Sequence, residues 1–73
     1  MSTLRFLFGR RLRQLRRQKD LTQEQLAEAV GISVEFISNI ERGINAPSFE
    51  TLERLAAVLQ LPFEAFFHFP EEN

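Results

Sequence analysis

Between Leu4 and Phe67 the apolar residues recur three and four positions apart, separated by Ser or Thr caps and by Gly or Pro stops. No long stretch alternates polar with apolar. An α-helix repeats every 3.6 residues and so gathers such positions into one buried stripe, whereas a half-buried strand needs a repeat of two. The expected fold class is therefore all-α, built from short amphipathic helices. With 73 residues, a chain buries only about 60% of its unfolded surface, so residues 1–73 are expected to form a single domain around one core. The absence of Cys excludes a disulfide framework and a thiolate metal site, which leaves packing or self-association to stabilise the fold and points to a reducing, cytoplasmic location.

The pattern predicts four helices and a short fifth. The first runs roughly from Leu4 to Lys19 after Ser2 or Thr3, with Leu4, Phe8, Leu12 and Leu15 on its buried stripe. Arg10, Arg13 and Arg17 share the opposite face, Arg16 lies at the border, and Phe6 falls on the basic side. Thr22 and Gln25 have the spacing of a capping box at the start of the second helix, which ends at Gly31. Ser33 caps the third, whose first turn carries Glu35 beside the positive end of the helix dipole, and Gly43 stops it after Arg42. Ile44 to Pro47 read as a loop. Ser48 then caps a fourth helix that buries Leu52, Leu55, Ala56 and Leu59, before Pro62 breaks it and starts the fifth. Pro70 to Asn73 read as a frayed acidic tail.

Charge is distributed unevenly. The net value of −1 hides seven bases and no acid before Asp20, whereas all ten acids face only Arg42 and Arg54 afterwards. A basic cluster of this kind fits nucleic acid or an anionic membrane, or else a solvated helix face. A membrane-surface role is disfavoured because the leucines of the first helix are needed for the core. The apolar run Leu4 to Phe8 contains Arg5 and is too short for a signal peptide or a membrane span. The Arg-rich opening imitates a transit peptide, but cleavage there would remove side chains that the core and the basic face require. No enzyme is expected: one His in an acidic tail, no Cys and no Gly-rich loop leave no base, nucleophile or cofactor cradle to assemble. His68 has no second histidine beside it, so neither a metal nor any other cofactor is expected.

Two short helices joined by Gly31, Ile32 and Ser33 can form a helix-turn-helix if they cross closely, and Gln23 to Arg42 meet the requirements. Ala27 is small at the crossing, Gly31 permits a positive φ, and Leu26, Val30, Ile37 and Ile40 face inward. The chain here resembles the phage-repressor and Cro family of helix-turn-helix regulators, of the xenobiotic-response-element type, from about Phe8 to Phe67. The resemblance is carried by Leu12-Arg13-Gln14-Leu15-Arg16, Leu21-Thr22-Gln23-Glu24-Gln25-Leu26-Ala27, Gly31, Ile37-Ser38-Asn39-Ile40-Glu41-Arg42-Gly43 and Pro47-Ser48. It implies a compact five-helix domain of the lambda-repressor-like type. It also implies operator DNA as partner, bound as a two-fold dimer with the third helix in the major groove.

On that third helix the outward positions are Ser33, Val34, Glu35, Ser38, Asn39 and Arg42. The resemblance assigns base reading to Val34, Glu35 and Asn39, with Ser38 a further candidate. Asn39 can pair with adenine N6 and N7, Glu35 can accept from cytosine N4, and Val34 can pack on a thymine methyl. By the same resemblance Gln23 grips a phosphate at the start of the second helix, and Thr22 and Ser33 can add to this while capping. Arg16 and Glu41 match the family's ion pair, which can leave the guanidinium within reach of DNA. The loop after Gly43 departs from the family: Ile44, Asn45 and Ala46 carry no charge, which leaves phosphate binding to Asn45 and to Arg10, Arg13, Arg16, Arg17 and Arg42.

The stretch 61–69 holds four of the eight phenylalanines, more than one small core is expected to bury. Phe63 with Phe66 or Phe67 can cap the bundle. Phe66, Phe67 and Phe69, with Phe6, are the expected surface for a second copy of the chain. The rival reading gives this aromatic tail to a different protein, as in an antitoxin of the same fold.

Overall fold

A computed structural model describes residues 3–69, and every regular element in them is helical. The α-helices are α1 (Thr3–Gln18), α2 (Gln23–Val30), α3 (Val34–Glu41) and α4 (Phe49–Leu59), followed by a 3-10 helix at Phe63–Phe67. The expected fifth helix is thus only a five-residue 3-10 segment; Pro62 presets its entry but no side chain caps it. Thr3 lies inside α1 rather than at its cap, while Ser2 and the expected acidic tail at 70–73 lie outside the described residues.

Local chemistry sets the helix starts. Thr22 Oγ1 accepts from the Gln25 amide at 3.0 Å and Gln25 Oε1 accepts from the Thr22 amide at 2.8 Å, which closes the capping box. Ser33 and Ser48 each accept from the amide three residues on. Gly31 ends α2 at φ 87°, as the turn requires. Two other left-handed residues are not glycines: Asp20 (φ 59°) turns the chain from α1 into α2, and Gln60 (φ 57°) ends α4 two residues before Pro62.

The helices meet around Leu12, Leu26, Ile37, Ile40, Leu55 and Phe66, all fully buried. Phe66 stacks on Phe8 with ring centroids 5.9 Å apart, so this residue of the 3-10 segment belongs to the core. At about 1.5–3 kcal/mol for a fully buried large side chain, Phe66 is among the larger single contributors. Its expected place in a dimer surface is therefore corrected, because no part of its ring remains for a second copy. Leu4 departs from expectation in the other direction: it is exposed, on the edge of a groove with Phe8, Pro47 and Phe49, and Leu52 is only half-buried. No helix among the described residues is long and apolar enough to cross a membrane.

Candidate nucleic-acid interface

One helical face of α3 is left uncovered. Ile37 and Ile40 point into the core, and at about 100° per residue Val34, Glu35, Ser38, Asn39 and Arg42 fall within the opposite arc. Val34, Glu35 and Arg42 are exposed, while Ser38 and Asn39 are half-buried. The C-terminal end of this helix is tied down, since the Asn39 carbonyl accepts from the Ile44 amide at 2.9 Å and the Asn45 amide at 3.2 Å. The five outward side chains thus sit on a short rod held at both ends, Ser33 capping one and the Asn39 carbonyl closing the other.

The start of α2 is joined to the end of α3 and to α1 through one carboxylate. Arg16 donates to Glu41 through Nε at 2.6 Å and Nη2 at 3.1 Å, and its Nη1 donates to the Leu21 carbonyl at 2.7 Å. Gln23 Nε2 donates to Glu41 Oε1 at 3.0 Å. Arg16 is 7% exposed and all three guanidinium nitrogens donate within the fold. These bonds make the expected ion pair with Glu41 and use three of the five guanidinium N–H donors, so the expected phosphate contact falls to the two that remain. Gln23, the first residue of α2, thus has its side-chain amide oriented by Glu41.

The seven bases of the opening segment separate into different environments. Arg11, which the sequence did not single out, donates from Nε to the Ala65 carbonyl at 2.8 Å and so ties α1 to the 3-10 helix. Arg10, Arg13 and Arg17 remain exposed on one face of α1 and line a shallow surface with Gln14. That face adjoins the end of α3, because α1 crosses there at Gly9 and Phe6 touches Gly43. Thr22 and Ser33 are exposed as well as capping, and Asn45 is half-buried in the loop. Gly9 was likewise missed; a glycine in mid-helix was the signal that something approaches closely.

Large apolar side chains also remain outside the core. Phe67 and Phe69 pack edge to face at 6.4 Å, with Phe67 partly exposed. Phe49, at the first position of α4, is 86% exposed and borders a groove of about 310 Å³ formed with Leu4, Phe8, Pro47, Leu52 and Phe67. Reading α4 only for its buried stripe hid Phe49, which lies off that stripe at the first position of the helix.

Comparison with known proteins bears on this surface. The sequence model described as Helix-turn-helix matches residues 12–66. The chain is 50% identical over 58 residues to the uncharacterized HTH-type transcriptional regulator RghRB of Bacillus subtilis (strain 168), a match that covers 78% of this chain and 42% of that protein. It therefore spans about two fifths of that relative's length. Among solved structures it is similar to the restriction-modification controller protein C.AhdI from Aeromonas hydrophila, at 35% identity and a TM-score of 0.82 over 85% of this chain and 94% of that one. It is also similar to SinR, a master regulator for biofilm formation solved in complex with DNA, at 32% identity and a TM-score of 0.78 over 84% of this chain and 98% of that one.

Proposed function

Because this chain belongs to the Helix-turn-helix family, whose members are DNA-binding transcription regulators and not enzymes, we propose that it binds a specific double-stranded operator as a homodimer and represses transcription there. It acts in the cytoplasm in this reading, and no cofactor enters. The observation that carries the proposal is the outward arc of α3, flanked on one side by the cationic face of α1. A major groove about 12 Å wide admits one helix, and an arc bearing an amide, a carboxylate, a hydroxyl and a small apolar group can distinguish base edges. Val34, Glu35, Ser38 and Asn39 read bases. Gln23, Thr22, Ser33 and Asn45, with Arg10, Arg13, Arg17 and Arg42, set register on the phosphates.

A single α3 reads few base pairs, and a chain of net charge −1 binds DNA weakly alone. A two-fold dimer remedies both, with Phe67 and Phe69 offered to the second copy and exposed Phe49 and Phe63 adding apolar surface that the sequence did not indicate. The groove beside Phe49 favours a second reading, in which another protein binds this side while α3 still holds DNA.

Selection from a random duplex pool tests the proposal. The enriched site is expected to be an inverted repeat with half-site centres roughly 10 base pairs apart, or a multiple. With about three to five phosphate contacts per subunit, log K should fall against log salt with a slope of roughly −5 to −9. No enrichment, or a flat salt response, overturns DNA binding; a single unrepeated site overturns the dimer. Within that binding, Asn39→Ala should cost about 1–3 kcal/mol per half-site and relax one base position, whereas Gln23→Ala should weaken all sequences alike. An unchanged selected site for Asn39→Ala removes Asn39 from base reading.

A further inference from the structure

Arg42 is the one basic residue between Asp20 and Arg54, and it caps the C-terminal end of α3. Its amide donates to the Ser38 carbonyl at 3.0 Å and its backbone stays in the right-handed helical region, so its side chain leaves the helix in register with those before it. At about 100° per residue, seven residues bring Arg42 to within about 20° of Glu35, and steps of three and four set it between Asn39 and Ser38. It therefore occupies the middle of the outward arc rather than its flank. The side chain is exposed. Among the described residues its guanidinium enters no hydrogen bond or ion pair: Glu41, next to it, is held by Arg16 and Gln23, and Glu50 pairs with Arg54.

We infer that Arg42 reads a guanine in the major groove, donating to its O6 and N7, in place of the phosphate contact given to it above. Resting on the DNA-binding reading, this adds a residue that sets specificity. The other outward side chains supply an apolar surface at Val34, a carboxylate at Glu35, a hydroxyl at Ser38 and an amide at Asn39. None of them offers the parallel pair of donors that suits the two acceptors of guanine, whereas a guanidinium presents that pair as a rigid fork. Position along the helix matters as well. From Asn39 to Arg42 a helix advances about 4.5 Å, and where a straight helix leaves a curved groove a short side chain falls short of the base edges. Arg42 is the longest side chain on the arc, and helical side chains lean toward the N-terminus, back over the preceding turn. Phosphates have other cations to meet, the exposed Arg13 and Arg17 of α1, but α3 has only this one.

Selection from a random duplex pool by the full chain, as wild type and as Arg42→Ala, locates the base. Each wild-type half-site should carry a guanine at one position where Arg42→Ala shows no preference, with the other positions unchanged. In titrations, exchanging that G·C pair for A·T should weaken wild type about 5- to 150-fold per half-site and leave Arg42→Ala unaffected. A guanine analogue with carbon in place of N7, placed at that position, removes one acceptor alone and should weaken wild type but not Arg42→Ala. Thermal melting confirms that the variant is folded, and the analogue tests the contact in wild type without any substitution. Three results overturn the proposal: Arg42→Ala weakening every sequence alike, a selected half-site with no guanine at the position it relaxes, or wild type binding the analogue as it binds guanine. A wild type that enriches no DNA fails the wider reading and this one together; wild-type selection of a site with a uniform loss in Arg42→Ala fails this one alone.

Discussion

Gly9→Ala is expected to destabilise the protein by about 3 kcal/mol, the upper range of overpacking costs, and to lower the melting temperature by roughly 12 to 24 °C. Intrinsic helix propensity points the other way, since Ala in a helix interior is favoured over Gly by about 1 kcal/mol. The tertiary contact decides the sign. A Cβ at position 9 would stand 2.3 Å from the Ile40 carbonyl oxygen and 2.8 Å from that of Glu41. Both are main-chain atoms in the last turn of α3 and cannot rotate aside, so α1 and α3 must separate. Separation opens the contacts of Leu12 and Ile40, both fully buried, and tilts the helix proposed to enter the major groove. Circular dichroism melts measure the effect, and a variant that melts with or above wild type removes the close crossing.

The second large effect concerns the carboxylate shared by three elements. Glu41→Ala leaves the 7%-exposed Arg16 buried without its partner, an arrangement that costs about 3–5 kcal/mol. Replacing both, as Arg16→Met with Glu41→Leu, removes the desolvation cost along with the attraction, and should restore denaturant stability to within about 1 kcal/mol of wild type or above it. DNA affinity should not return with it, because Gln23 loses the Glu41 oxygen that orients its amide. Urea titrations of wild type, Arg16→Met, Glu41→Leu and the double variant give the coupling, and the same proteins titrated with the selected operator separate stability from binding. Additive stability losses would show that the pair does not act as a unit. Full binding by the double variant would show that Glu41 does not position Gln23.

Much of this protein follows from neighbours along the chain. The capping box of Thr22 and Gln25, the serine caps at 33 and 48, and the left-handed turn at Gly31 depend on hydrogen bonds spanning three or four residues, so spacing alone marks them. The outward arc of α3 was legible for the same reason, since Ile37 and Ile40 fix which side faces inward. Tertiary structure decided what residue type cannot encode. Arg10, Arg11 and Arg16 are the same residue on one helix, yet Arg16 is buried against Glu41, Arg11 binds the Ala65 carbonyl, and Arg10 stands over Phe6. Phe66 is fully buried while Phe49 is 86% exposed. Burial, partner and charge environment depend on how far each helix extends past the others and on which backbone passes beside it. These distances are set where the elements cross, between residues far apart in sequence, so periodicity along any one helix carries no record of them.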